Sequence, residues 1–285
     1  MRQSEGITIR FAEDRDTPAV RALWEQCFPG EPDFTGYFFA HLYAPRYNLL
    51  LLREGTLCAM AQMLPYQLQN GPASEPVTYI YGACTHPAHR RQHLMDRLLH
   101  ESFDIDRANG RAASFLIPQE DWLFGFYARF GYRTAFHVSE WTAPEPQAAL
   151  PLAVRPAGEG DLSAMDGLYH RYLGIGPYLC RPADEWRRQL AFFRATGGEV
   201  LCAEGADGGL DGYAFVWPGD QQIWAQELIC PPAAKEGWAA ALQQRFGPLP
   251  CRMTGPQFSN PRPLGCMLRY DGAQLADGYI NLMLN

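Results

Sequence analysis

Apolar and polar positions change period several times along the first half of the chain, and each change predicts an element. Four leucines run unbroken between Tyr47 and Arg53, as in a strand covered on both faces, and Leu57 to Gln69 alternates with the period of a long strand. Val77 to Thr85 is rich in β-branched and aromatic side chains and stops before Pro87, which has no amide to give a sheet. The spacing then turns helical. Leu94 and Leu98, with Met95, Leu99 and Phe103, place one apolar face on a helix predicted over His89 to Asn109, and Gly110 supplies its left-handed C-cap. Ala112 to Ile117 predicts a short buried strand, Trp122 to Phe130 a helix capped by Asp121 and ended by Gly131, and Tyr132 to Thr142 a last strand.

The opening pattern recurs. Ile9-Arg10-Phe11-Ala12-Glu13-Asp14-Arg15-Asp16 is echoed 145 positions later by Val154-Arg155-Pro156-Ala157-Gly158-Glu159-Gly160-Asp161. At the same offset Ala19, Val20, Leu23 and Trp24 fall on Ala164, Met165, Leu168 and Tyr169. Each copy reads as strand, acidic turn and helix. The intervening run from Ala143 to Pro151 holds three prolines without periodicity, the composition of a linker. The expected organisation is therefore a first domain over residues 1–143, a linker over 144–151 and a second domain over 152–285, both of one mixed α/β (α+β) topology. Strands from Leu210 to Trp217 and from Tyr279 to Leu284 are expected within the second.

A chain of 285 residues with 47% hydrophobic content has the material for two cores. No uncharged apolar run approaches the roughly 18 residues of a spanning helix, and the start MRQSEGITIR carries no apolar stretch behind a basic end. Eight cysteines stand singly with no C-x-x-C pair, which suits a reduced compartment, so a cytoplasmic protein without a membrane partner is expected. His86, His89 and His93 lack the ligand register of a zinc site, and no metal is expected. The net charge of −7 argues against nucleic acid as a partner and suits a cationic amine.

Chemistry concentrates at the strand-to-helix junction from Thr85 to Met95. A helix start leaves backbone amides unpaired and carries partial positive charge, and Arg90 and Arg91 add full charges, so a pyrophosphate suits this corner. Cys84 in the preceding strand has no base beside it in sequence, which argues against an acyl-carrying nucleophile.

Thr85-x-Pro87-x-x-Arg90-x-x-His93-x-Met95 resembles the acyl-CoA motif of the Gcn5-related N-acetyltransferase (GNAT) family, V-x-P-x-x-R-x-x-G-x-G/A. Tyr127-Ala128-Arg129-Phe130-Gly131-Tyr132 resembles the family's Y-x-x-x-G-[FY], and Leu116 to Tyr127 is similar to a tandem bacterial branch related to the enhanced-intracellular-survival acetyltransferases. The resemblance covers about residues 5 to 142. It implies two tandem GNAT-like domains, each a mixed, mostly antiparallel sheet flanked by helices, the first with a splayed strand that binds acyl-CoA. It further implies acetyl-CoA as cosubstrate, held by the backbone of Ala83, Cys84 and Thr85 and by Arg90, Arg91, Gln92, His93, Leu94 and Met95. Tyr127 would act as general acid toward the leaving thiolate.

His93 and Met95 replace the motif's small residues, and Glu120 stands where the family often has asparagine. His93 fits if it lies in the first helical turn, where no positive φ is needed, and otherwise crowds the phosphate. Glu120, Asp121, His86 and the terminal carboxylate of Asn285 are candidate bases. The segment Phe28 to Tyr43, with Glu31 and Asp33 among Phe34, Tyr37 and Phe38, is where the family lines its acceptor pocket, and helix packing would equally explain those aromatics. The acceptor is expected to be a small-molecule or peptide amine, and the oligomeric state is left open.

In the second copy the junction reads Cys230-Pro231-Pro232-Ala233-Ala234-Lys235-Glu236-Gly237-Trp238, with Glu236 and Trp238 expected to face the pyrophosphate position and oppose binding. With no second Y-x-x-x-G-[FY], that domain is expected to be a degenerate scaffold. The competing readings are a non-catalytic acyl-CoA-binding or regulatory module and an aminoacyl-tRNA-dependent ligase, the latter disfavoured by the acidity.

Overall fold

The computed structural model describes residues 6–30, 32–144, 146, 149–174, 176–205 and 208–281. Glu31, the linker residues Glu145, Gln147 and Ala148, and residues 282–285, with the candidate base Asn285, lie outside the described residues.

The chain opens with β1 (Ile7–Phe11), α1 (Thr17–Cys27) and the short α2 (Pro32–Tyr37). The leucine run forms β2 (Asn48–Arg53), the alternating stretch β3 (Thr56–Asn70), and the β-branched stretch β4 (Ala73–Thr85). Next come α3 (Leu94–Ala108), β5 (Ala113–Leu116), α4 (Asp121–Ala128) and β6 (Arg133–Ala143). The second half repeats the order with β7 (Val154–Pro156), α5 (Leu162–Leu173), β8 (Tyr178–Leu179), α6 (Ala183–Ala195), β9 (Glu199–Glu204) and β10 (Leu210–Pro218). It ends with β11 (Ile223–Ile229), α7 (Lys235–Phe246), β12 (Cys251–Gly255) and β13 (Pro261–Arg269). Of the strand expected from Tyr279, the described residues form single bridges only, Gly278 with Phe136 and Tyr279 with Tyr178. No helix among the described residues is long and apolar enough to cross a membrane.

The repeat holds at the level of atoms. Arg10 forks onto Asp16 at 2.6 and 2.9 Å, and Arg155 forks onto Asp161 at 2.8 Å through both nitrogens. Each aspartate also accepts the amide three residues before it, from Glu13 at 2.8 Å and from Gly158 at 2.7 Å. The guanidinium holds Asp16 down to about 2, well under an ordinary aspartate.

The chain closes into two compact units that are not its two consecutive halves. One holds the residues up to Leu68, Ala73–Thr134 and Cys266–Gln274, and the other Gln69–Pro72, Ala135–Gly265 and the residues from Leu275 on. The boundary expected near residue 147 separates the two sequence copies, whereas the units exchange the last strand of each.

In the first unit the strands run β1-β2-β3-β4-β5, followed by the end of β13. β1, β2 and β3 pair antiparallel, β4 and β5 parallel, and β13 antiparallel to β5 with Cys266 opposite Leu116 and Arg269 opposite Ala113. The apolar face of α3 delivers Leu94, Leu98, Leu99 and Phe103 onto Leu49, Leu51, Ile80, Leu116 and Cys266. Polar bonds fasten the late-arriving segment, since buried Asp106 accepts from Thr78 and from Tyr270, both at 2.7 Å, and Arg269 meets Glu75 at 2.6 Å.

The second unit runs β7-β9-β10-β11-β12 and then β6, with β11 and β12 parallel and the other pairs antiparallel. It is the same topology strand for strand. A fifth strand left bare would expose a row of unpaired amides and carbonyls, and in each unit a strand from the other sequence copy covers that row.

Candidate active site

Parallel pairing of β4 with β5 runs from Val77 to Tyr79, opposite Ala113 to Phe115, while β4 continues to Thr85. Its last residues therefore run on beyond the pairing with β5. The other side stays pinned, with the amide of His86 donating to Cys58 at 2.9 Å. Gly82 makes the bend. Its φ is +58°, and a Cβ there would lie 2.4 Å from Cζ3 of Trp24, so only glycine fits. Beyond the bend Ala83 packs against the core, Cys84 is buried and Thr85 is half-buried.

The helix after the junction starts later than its periodicity predicts. A 3-10 turn over Pro87–His89 is followed by four loop residues, and α3 begins at Leu94 with His93 as N-cap. Arg91 and His93 take left-handed conformations, with φ of 59° and 57°. The reading in which His93 sits inside the first turn and needs no positive φ is thereby overturned. Histidine pays the steric cost that the motif's glycine avoids, of order 1 kcal/mol. Alternating hand along such a loop turns consecutive amides toward one point. Among the described residues the amides of Gln92, His93, Leu94 and Met95 meet no hydrogen-bond acceptor, which suits an anion.

Side chains around the loop are mostly basic. Arg90 donates through Nε to the Thr85 carbonyl at 3.2 Å, Arg53 donates to Oε1 of Gln92 at 2.7 Å, and Arg91 is exposed. Asp96, in the first turn of α3, opposes an anion, but its carboxylate is engaged by His93 at 2.9 Å and by Arg129 at 3.6 Å. Leu94 is buried in the core and Met95 packs against it, so these two offer the loop their amides alone.

Tyr127 lies buried on α4, and its hydroxyl has no hydrogen-bond partner among the described residues. Burial pushes its pKa up to about 12, with smaller contributions from the thiols of Cys266 and Cys84, which places the ring in electrostatic reach of the open end of β4. The hydroxyl of Tyr132, four residues past the end of α4, is instead structural and shares a 2.7 Å hydrogen bond with Ser114 of β5.

The candidate bases are differently placed. Glu120 accepts from the indole of Trp122 at 2.7 Å, Asp121 is exposed at the start of α4, and Nδ1 of His86 accepts the Ala88 amide at 3.2 Å. In the segment expected to line an acceptor pocket, Phe38 is buried and stacks on Trp24 at 4.8 Å, so it is core, while Asp33 is exposed. Cys27 is a neighbour that sequence reasoning missed, with Sγ 3.7 Å from the Thr85 carbonyl. No local pattern announces it, since the two residues are 58 positions apart.

The same corner of the second unit is built shut. β11 leaves β12 after Ala225 opposite Met253, as β4 leaves β5, but Asn281 donates to the Gln226 carbonyl at 2.5 Å and Gln257 to the Leu228 carbonyl at 2.9 Å. Glu227, which stands 145 positions after Gly82, is buried and bonded to Arg181 at 2.7 Å, Tyr213 at 2.9 Å and Tyr279 at 3.0 Å. The 3-10 turn Pro232–Ala234 runs straight into α7 at Lys235, with Ala234 right-handed, so nothing corresponds to the loop of Arg90 to His93. Trp238 does not face a phosphate position as expected. It is 1% exposed, in the core of the unit, because the missing loop residues bring the apolar face of α7 round onto the sheet. Glu236 stays near the surface, 3.9 Å from Lys235.

Residues 8–135, somewhat under half the chain, match the family model described as "Acetyltransferase (GNAT) domain". An uncharacterized N-acetyltransferase of Streptomyces avermitilis is 28% identical over 125 residues, which is 43% of this chain and 29% of that relative's length. Among solved structures, a probable N-acyltransferase from Enterococcus faecalis superposes with a TM-score of 0.72 at 14% identity, covering 92% of this chain and 72% of that one. Eis1 from Mycobacterium abscessus gives a TM-score of 0.62 at 16% identity, covering 92% and 73%. At these identities the structural likenesses establish the fold.

Proposed function

We propose that the chain, whose residues 8–135 match the acetyltransferase (GNAT) domain, moves an acetyl group from acetyl-CoA to a small-molecule or peptide amine by direct attack of the amine on the thioester. The observation that carries this reading is the conjunction, at one end of β4, of a main chain that runs on beyond its pairing with β5 and a loop of four acceptorless amides beside Arg90 and Arg91. Those features fit the two ends of a coenzyme A arm, an amide-containing pantetheine and a pyrophosphate. Acetyl-CoA supplies an acyl group already activated as a thioester, so no nucleophile of the enzyme is needed.

The backbone of Ala83 to Thr85 orients the pantetheine and supplies an amide to the thioester carbonyl. Arg90, Arg91 and the amides of Gln92 to Met95 bind the pyrophosphate, and proximity of the two reactants is the largest rate term. Tyr127, kept protonated by burial, holds the proton that the departing thiolate takes. The second unit, with its corner filled by Asn281 and Gln257, binds no cosubstrate and serves as scaffold. The protein works in the cytoplasm, without metal or nucleic acid.

The test is CoA release from acetyl-CoA over a panel of polyamines, aminoglycosides and peptide amines, with the acetylated product identified by mass. Release coupled to a product mass raised by one acetyl group supports transfer. Tight CoA binding with no turnover on any amine would replace it with the acyl-CoA-binding module, and absence of CoA binding would remove both.

A further inference from the structure

We propose that Cys27 and Cys84 form an oxidisable dithiol, in which the Cys27 thiolate is attacked by peroxide and the Cys84 thiol resolves the product into an intramolecular disulfide. This modification site goes beyond the transfer reaction, and its chemistry does not depend on that reading.

Cys27 ends α1 and Cys84 sits near the end of β4, and the Cys27 thiol lies against the carbonyl of Thr85, the residue that follows Cys84. Both are free. The thiol of Cys27 donates to the Thr85 carbonyl at 3.7 Å, and Nε of Arg90 donates to the same oxygen at 3.2 Å, so a thiol and a guanidinium converge on one atom. The Cys84 thiol, and after it Arg90, hold the Cys27 thiol down to about 7 against the opposing effect of burial. The Cys27 thiol, together with burial, pushes Cys84 well up and keeps it a thiol. Accessibility divides the roles in the same sense, because Cys27 is partly exposed and Cys84 is buried. Elsewhere burial raises Cys202, Cys230 and Cys251 to about 12 and Cys266 to about 11, so these thiols resist attack.

The steps balance with a peroxide as oxidant. The Cys27 sulfur attacks one peroxide oxygen and the O–O bond breaks. Cys27 becomes a sulfenic acid, and the second oxygen leaves as water after taking a proton. The Cys84 sulfur then attacks the Cys27 sulfur, the S–O bond breaks, and the hydroxyl departs as water with the proton of Cys84. Two sulfurs lose one electron each and the peroxide gains both. The product ties the end of α1 to the open end of β4 and removes the thiolate that faces Arg90.

The experiment treats the reduced full-length chain with hydrogen peroxide and maps its peptides by mass. The expected result is loss of two hydrogens per chain, reversed by dithiothreitol, in a single linked pair of peptides holding Cys27 and Cys84. Cys84→Ser should accumulate a Cys27 sulfenic acid that dimedone captures, and Cys27→Ser should react about tenfold more slowly. Arg90→Gln should slow the wild-type reaction roughly threefold or more by withdrawing a partner of the thiolate. A linked pair that omits either cysteine, or modification of Cys27 no faster than that of the buried cysteines, overturns the proposal. The wild-type map decides this even if a variant folds poorly.

Discussion

Two side chains carry most of what can be tested at the scale of single residues. Tyr127 is buried, unpartnered and shifted upward, so it stays protonated wherever the protein works. Tyr127→Phe keeps the ring against Phe126 and Tyr132, hence CoA affinity should hold while turnover falls about 10- to 1000-fold. Undiminished turnover on a genuine acceptor would take the hydroxyl out of the mechanism. The sign of its titration follows from the shift. A tyrosine raised above its ordinary value is neutral in folded and unfolded chains alike below about pH 10, and its contribution to stability is lost as pH climbs from there toward 12. No limb of the rate profile below about pH 10 should therefore belong to it. His93 behaves differently because its cost lies in the backbone. His93→Gly relieves a left-handed histidine whose imidazole is 79% exposed, so a gain in stability of about 1 kcal/mol should accompany tighter CoA binding. Weaker binding by the glycine variant, read by calorimetry, would instead make the imidazole a phosphate ligand.

Comparing the two copies element by element shows how one topology gives two differently built corners. Both β4 and β11 run past their parallel partners, so the overrun is a property of the fold. What differs is the connection to the helix. The first copy inserts a loop with two left-handed residues, while the second enters α7 directly and caps its open carbonyls with Asn281 and Gln257. Calorimetry should accordingly find one CoA site per chain, weakened by Arg90→Ala by roughly 1.5 to 3 kcal/mol, the worth of a charge-assisted phosphate contact. A stoichiometry of two would contradict the closed corner of the second unit.

At the scale of the whole molecule, the exchanged strands decide what can be cut. A chain ending at Ala143 leaves β5 without its antiparallel neighbour and strips Cys266, Leu268 and Tyr270 from around the first core. Such a fragment should aggregate or melt without cooperativity. Appending residues 261–274 to it through a flexible linker should restore a cooperative transition by circular dichroism. If the bare fragment melts as sharply as the full chain, strand exchange is dispensable to the first unit. Acid should weaken the chain through the two repeated Arg–Asp forks. Asp16 is depressed to about 2, so the stability it contributes is complete above about pH 4 and lost as pH falls toward 2.

Hydrophobic periodicity by itself determined most strands and helices of the first half, because burial on one face leaves its period in the sequence wherever an element is long. The 145-position echo also puts Arg10 and Asp16, and Arg155 and Asp161, at the same six-residue spacing, and the structure closes each pair into a fork within a single turn. The junction motif and the motif that holds Tyr127 are local patterns for the same reason. Tertiary structure alone decided the start of α3, since His89 to His93 can continue a helical pattern and only the geometry of the turn shows that they do not. It alone brought Cys27 to Thr85, Cys266 to Leu116 and Asn281 to Gln226, pairings 58, 150 and 55 residues apart in the sequence. Such contacts leave no periodic trace, because they are fixed by where whole strands pack and not by the spacing of neighbours along the chain.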